Sequence, residues 1–317
     1  MTERFAAGTR IGDYVIECVI PGGNADLTYQ ATHVLLPRRA CLQILHPAFT
    51  GLTSVAVQLI REGCILEALH HLGVPRMYEC GVLPDRRPWM ATELVEGEPL
   101  SALTQVLPVA TVVGLVRDVA EILEHAHRRG VIHRNLRPEV IVQCAPDRGF
   151  GHCVVDWSAA RIHDAALAQQ VPAGSPCYRA PELASGNFDG RADIFALGVI
   201  AYEALTRALP MMSAAKRCPG APLAVTALLD RMLVMDPAVR PTAAEVCLAA
   251  TQLADVVELV PPEDLVEELA AELVELELEA EPEPPVINRK LKWTPAQGLI
   301  TQPGIRRAVL ALKRGRP

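Results

Sequence analysis

The spacing of apolar and polar positions changes along this chain, and the change divides it. Near the start, "DYVIECVI" (13–20) alternates apolar and polar residues, which predicts a half-buried strand. "PGGNAD" (21–26) then reads as a tight turn. "LTYQATHV" (27–34) and "RACLQIL" (39–45) predict two more strands, with "LPRR" (36–39) as a solvent-facing turn between them. From Ser54 the spacing becomes helical, and "SVAVQLIREGCILEALHHL" sets Val57, Ile60, Cys64, Ile65, Leu69 and Leu72 as its apolar positions. Two short strands follow, around "RMYECGVL" (76–83) and "PWMATELV" (88–95). Beyond Pro108 the pattern is helical: 108–127, "RADIFALGVIAYEALTR", "APLAVTALLDRMLVM" and "TAAEVCLAATQLADVV". The order predicts an α+β protein, a small β-rich lobe with one helix preceding a larger helical lobe.

Charge adds a boundary that hydropathy does not show. Residues 1–255 hold 22 basic and 26 acidic side chains, a mixed globular surface. Residues 256–288 hold 11 acidic and no basic ones, and residues 289–317 hold 8 basic and no acidic ones. We therefore expect a lead at 1–11, a domain at 12–255 with lobes 12–95 and 96–255, an acidic segment and a basic tail. In the acidic segment, Leu265, Leu269, Leu273 and Leu276 fall near one stripe of a possible helix over 264–280. This stretch reads either as a solvated spacer or as a docking helix. The basic tail could contact nucleic acid, a membrane surface or the acidic segment, but eight charges and one Trp set no specificity.

The net charge of −7 gives no general attraction to nucleic acid. Nine cysteines lie scattered with no C-x-x-C pair, which fits reduced thiols better than zinc or disulfides. No apolar leader opens the chain and no transmembrane run occurs, so a cytoplasmic location is expected. Only four lysines occur, Lys216, Lys290, Lys292 and Lys313, so the first 215 residues have none.

Five stretches carry a recognisable order: "VIHRN" (131–135), "VVDWSAARI" (154–162), "GSPCYRAPEL" (174–183), "RADIFALGVIAYEAL" (191–205) and "DPAVRPTAAEV" (236–246). Together they resemble a bacterial Ser/Thr protein kinase domain of the eukaryotic-like type over residues of about 12–252. The resemblance implies a two-lobed protein-kinase-like fold. It also implies structural roles for His133, Arg134 and Asp193, a buried Glu182–Arg240 ion pair, and a metal-ligand position at Asp156.

The same resemblance places several substitutions on the chemistry. The strand lysine that grips phosphate aligns with Gln43, which is neutral and shorter. The glycine-rich loop aligns with 21–29, where only Gly23 is kept, while Pro21 removes a donor and Asp26 brings a carboxylate toward phosphate. The catalytic Asp becomes Asn135, which cannot accept a hydroxyl proton. The loop Lys becomes Arg137, and the second metal ligand becomes Val140. A vestigial nucleotide cleft would be lined by Gly23, Gln43, Glu62, Glu93 and Val95, with Cys41 crowding its adenine side. Glu62 would then hydrogen-bond Gln43 or stand solvated on its helix. Asp156 would cap a turn or pair with Arg134 or Gln43.

The resemblance thus implies a pseudokinase that works through a protein partner, with no cofactor expected, metal-free ATP allowed and Mg²⁺ not expected. The alternative is a weak or unconventional ATP-dependent protein kinase or nucleotide transferase using Glu62, Arg137 and Asp156. Two further departures point the same way. About 20 residues separate "YEALTR" from "LLDRMLVMDP", roughly half the family's usual span, and 156–182 offers only Ser158, Ser175 and Tyr178 as hydroxyls.

Overall fold

A computed structural model describes residues 4–21, 26–162, 175–186, 188–210 and 220–258. Gly23, the basic tail and all of the acidic segment beyond Glu258, including the stretch 264–280, lie outside the described residues. One compact unit spans Met1–Val260.

The small lobe is a six-stranded antiparallel sheet of β1 (Arg10–Ile11), β2 (Tyr14–Val19), β3 (Asp26–His33), β4 (Arg39–Leu45), β5 (Met77–Val82) and β6 (Pro88–Glu93). Its strand order is β1-β2-β3-β4-β6-β5. The period-two pattern sorts its side chains. Tyr14 and Ile16, Leu27, Tyr29 and Ala31, and Ala40, Leu42 and Ile44 form one buried cluster with Trp89 and Ala91. Residues of opposite parity on β3 and β4 therefore share the other face. Thr28 pairs with Gln43, Asp26 with Leu45, and Gln43 with Met90 of β6. Helix α1 (Thr53–Ala68) packs on that face, where Leu45, Leu59 and Met90 form a second cluster.

The α1 stripe differs from the one expected. Ile65 and Leu69 are buried, but Val57, Ile60 and Leu72 are 42%, 55% and 50% exposed, and Cys64 is exposed as well. The buried face of α1 is Leu59, Glu62, Gly63, Ile65 and Leu66. Both sets have helical spacing, and the carboxylate at Glu62 hid the true one. The "LPRR" turn also departs from expectation at one residue. Arg38 is half-buried and lies 4.5 Å over the Tyr78 ring, whereas Arg39 is exposed and pairs with Glu96 at 3.0 Å.

The helical lobe is built on α2 (Val109–His127), α3 (Arg191–Thr206), α4 (Leu223–Met232) and α5 (Ala243–Glu258). Their apolar faces share one core that also takes Ile65, Leu66 and Leu69 from α1, so it joins the lobes. α3 is apolar nearly all round because it runs through the middle of that core. α5 begins with a capping box, Thr242 and Glu245 bonding reciprocally. Short strands complete this lobe, β7 (Gly97–Pro99), β9 (Ile141–Cys144) and β10 (His152–Val154) in one sheet, and β8 (Val131–Ile132) with β11 (Arg161–Ile162) in another, with Val131, Ile141 and Val154 in the shared core. Gly97 has φ +149°, and a Cβ there would overlap the Gln143 carbonyl oxygen. Gly97→Ala should therefore cost about 1–3 kcal/mol, read as a lower midpoint in thermal unfolding.

Candidate functional site

The candidate site is the cleft between the lobes. From the small lobe, Gln43 reaches it from β4, Asp26 from the start of β3 and Glu62 from α1. No lysine stands among them. The Gln43 side-chain oxygen is buried and has no hydrogen-bond partner. Glu62 is 3% exposed, and its carboxylate accepts the Trp157 backbone N–H at 3.0 Å. Glu62 is thus neither solvated nor bonded to Gln43. A glutamine one methylene shorter than the usual reach leaves the carboxylate free to bond the segment beyond Asp156 instead.

Burial pushes the Glu62 carboxyl well above its ordinary range, and the charges of Asp156 and Asp26 push it further. Burial likewise raises Asp26 to about 6, with Asp156 adding to it. Cys41, half-buried on the same face of β4, has its thiol raised to about 11 by burial and by Glu62.

From the large lobe, β8 delivers the loop at His133. Asp193, 1% exposed at the start of α3, accepts from the backbone N–H groups of His133 at 2.8 Å and Arg134 at 2.7 Å, and contacts His127 at 2.9 Å. These bonds hold Arg134 at φ +68°, a left-handed geometry that a non-glycine residue adopts only under constraint. Burial lowers the Arg134 guanidinium to about 10, Arg161 adds to the effect, and the group lies 5.3 Å from the Phe188 ring. The Asn135 N–H donates to His133 Nδ1 at 3.3 Å, and the Asn135 carbonyl accepts from Arg137 at 3.1 Å. Val140 is 2% exposed within the core.

Asp156 follows β10, at φ +59°. Its partners are Arg137, at 2.8 Å, and the Ser158 hydroxyl, at 2.5 Å. Among the described residues Asp156 bonds neither Arg134 nor Gln43. Arg137 is two residues from Asn135 in an extended loop and reaches across to Asp156, while Arg134 points back toward Phe188. Burial raises the Asp156 carboxyl, but Ser158 and Arg137 outweigh it, and the group titrates below its ordinary value.

At the hinge, the Glu93 carboxylate is turned to Arg148, at 2.8 and 3.1 Å, and Val95 is half-buried. Sequence reasoning did not single out Arg148 or Trp157. Trp157 is fully buried, bonds the Val154 carbonyl at 2.8 Å and meets the His133 ring edge-on at 4.8 Å. Its signal was a large aromatic directly after the matched Asp. At the far end of the lobe, Arg240 and Glu182 form a buried ion pair at 2.6 Å. Among the described residues no group of His, Cys, Asp and Glu side chains is arranged to hold a metal ion. Among them, too, no helix is long and apolar enough to cross a membrane.

A six-stranded lobe with one helix, a helical lobe, and a His-Arg loop tied between them to a buried Asp define a protein-kinase fold. The crystal structure of the Mycobacterium tuberculosis PknI kinase domain matches it with a TM-score of 0.62 and 25% identity, covering 78% of this chain and 99% of that one. The protein kinase domain family model matches residues 50–250, and the chain belongs to that family. It is 31% identical over 209 residues to the serine/threonine-protein kinase Pkn1 of Myxococcus xanthus, covering 64% of this chain and 30% of Pkn1. It is 28% identical over 284 residues to pkn3 of the same organism, covering 80% of this chain and 52% of pkn3. The matches thus span about a third to a half of these relatives' own length.

Proposed function

We propose that this chain is a pseudokinase, a protein-kinase-like regulator or adaptor that acts on a protein partner without transferring phosphate. The observation that carries the reading is the charge arrangement of the cleft. Where the family's lysine would meet phosphate, Gln43 stands on the sheet face that α1 and its buried Glu62 cover, with Asp26 and Asp156 close enough to raise that carboxyl further. An incoming triphosphate meets the Asp156 carboxylate and acidic side chains at Asp26 and Glu62 where it needs a cation. The donor set does not fit Mg²⁺ either. Asp156 already bonds a guanidinium and a hydroxyl, and Val140 offers only hydrocarbon. At Asn135 an amide replaces the group that would take the hydroxyl proton.

This reading puts the protein partner on the large lobe. A cavity of about 210 Å³ in the large lobe is lined by Leu103, Pro138, Glu139, Tyr178, Ile200 and Glu203, among others. Glu139 and Glu203 give it an acidic character that suits a basic side chain of a protein partner, although Glu203 already accepts from the Tyr178 hydroxyl at 2.7 Å, Glu139 lies 3.7 Å from Arg137, and Arg207 also lines it. The basic tail keeps a nucleic-acid partner as a lesser option, and steeply salt-dependent binding lost on deleting 289–317 would support it.

The test is thermal unfolding of the full chain with ATP, with and without Mg²⁺. The pseudokinase reading expects no rise in midpoint in either condition. A rise with ATP alone would mean that nucleotide serves as a structural ligand. A rise only with Mg²⁺ would favour the second reading, a weak or unconventional ATP-dependent kinase or nucleotide transferase. That reading draws on Asp156 and Arg137, whose side chains remain 31% and 23% exposed. It requires Asp156→Ala to abolish transfer, whereas a regulator should show only changed stability.

A further inference from the structure

We propose that Cys144 and Cys153 form a redox-sensitive thiol pair, closed to a disulfide by peroxide, at the junction between the hinge and the segment that carries Asp156. The register of β9 and β10 sets the pair up. His152 lies opposite Gln143 and Cys153 opposite Val142. One step further, the Cys144 N–H donates to the Gly151 carbonyl at 2.9 Å, so Cys144 faces Gly151. Gly151 and Cys153 are two residues apart and share a face. Cys144 and Cys153 are therefore diagonal neighbours on one face of the hairpin, and the residue directly opposite Cys144 brings no side chain to separate them.

The two thiols differ in ways that suit an attacking and a resolving cysteine. Cys144 is half-buried, whereas Cys153 is fully buried. The neighbouring Cys153 thiol lowers the Cys144 pKa, with Arg148 adding to the effect against burial, and the Cys144 thiol donates to the Val142 carbonyl at 3.6 Å. Burial and the Cys144 thiol push Cys153 well up. Oxidant thus meets the more acidic, more accessible sulfur first.

The chemistry balances with one peroxide. The Cys144 thiolate attacks a peroxide oxygen, the O–O bond breaks and hydroxide leaves, giving a sulfenic acid. The Cys153 sulfur, giving up its proton, then displaces hydroxide from the Cys144 sulfur and the S–S bond forms. Two thiols are oxidised, and one peroxide becomes two waters.

Closure has somewhere to act. Diagonal neighbours in a sheet lie about 7–8 Å apart, slightly beyond the usual span of a disulfide, so the bond draws the strands together. On the Cys144 side, Ala145 bonds the Glu96 carbonyl at 3.2 Å and Arg148 bonds Glu93 at 2.8 Å. On the Cys153 side, Val154 bonds Gly73 and Val155 bonds Val140, both at 2.8 Å, immediately before Asp156. Movement of this hairpin reaches the hinge and the Asp156 segment together, whether or not the cleft transfers phosphate.

The test treats the full chain with hydrogen peroxide at graded doses, blocks free thiols by alkylation, and maps peptides by mass without reduction. The expected result is a Cys144–Cys153 linked peptide, two hydrogens lighter than the reduced pair, at doses that leave exposed Cys64 and Cys80 free. Cys153→Ser should lose the link and leave a Cys144 sulfenic acid that dimedone traps. Amide exchange at 154–157 should change on oxidation of the wild-type chain. A chain in which Cys144 and Cys153 stay alkylatable while Cys64 or Cys80 oxidises would overturn the proposal. So would a link from Cys144 to a different cysteine. Both readouts come from the wild-type chain and do not depend on a variant folding.

Discussion

Arg240→Ala should lower the unfolding midpoint of the chain by roughly 10 °C, the largest effect we expect from one substitution. Arg240 is 1% exposed and serves several acceptors at once. It meets Glu182 at 2.6 and 3.3 Å, the Arg191 carbonyl at 2.7 Å and the Val234 carbonyl at 2.9 and 3.1 Å. The Phe195 ring stacks 5.0 Å from the guanidinium. Removing the cation takes a donor from a buried carboxylate and from the carbonyls of Arg191, Val234 and Met235, and breaking a buried pair from one side costs about 3–5 kcal/mol. Glu182→Gln should cost less, because an amide still accepts from the guanidinium and only the charge is lost. In a double-mutant cycle the pair should therefore be strongly coupled. Arg240→Lys should recover less than half of the loss, since one ammonium cannot span the acceptors that a planar fork reaches. A midpoint for Arg240→Ala within a degree or two of the parent would mean that this pair does not hold the α3 start to the segment before α5.

Much of the architecture was legible because its signals are local. The strands β2, β3 and β4 follow from alternation, and α3 follows from an uninterrupted apolar run. His133, Asp193, Glu182 and Arg240 sit in short motifs whose order along the chain carried the resemblance. Legibility failed where a contact depends on reach through space. Arg137 and Asp156 are 19 residues apart, and nothing in either stretch says which of two nearby arginines will cross the gap. The backbone decides it, because the left-handed turn at Arg134 sends that side chain toward Phe188. Glu62 failed for a different reason. Charged residues mark the wet face of a helix in most sequences, so its burial could only be seen once α1 was packed on the sheet. The Cys144–Cys153 pair was invisible as well, because two cysteines nine apart become neighbours only through the register of a hairpin.

Glu62→Gln should make the chain more stable at neutral pH, by about 2 kcal/mol, although it removes a residue that the fold buries and bonds. The argument rests on what Glu62 bonds. Its one hydrogen bond, from the Trp157 N–H, survives in glutamine, whose side-chain oxygen accepts as well. What disappears is the cost of keeping Glu62 protonated at neutral pH, where burial, Asp156 and Asp26 disfavour the carboxylate and no lysine offsets them. The pH dependence separates this account from simple repacking. In the unfolded chain Glu62 titrates near its ordinary value, about 4.3, and in the folded chain it titrates well above. Below the unfolded value it is protonated in both states and costs nothing. As pH rises toward the folded value, the native state must hold a proton that the unfolded state releases, so stability falls. Asp26, raised to about 6, contributes a loss of the same sign. Urea unfolding at a series of pH values should therefore show Glu62→Gln matching the parent in acid, pulling ahead toward neutrality, and flattening the slope. Gln43→Lys should raise neutral stability by the opposite route. It supplies a cation, pulls the Glu62 carboxyl down, and turns the Glu62 contribution into one that is present above its unfolded value and lost in acid. If Glu62→Gln were less stable than the parent at every pH, the carboxylate would be charged and compensated in the native state, and the cleft would hold a cation that this geometry does not supply.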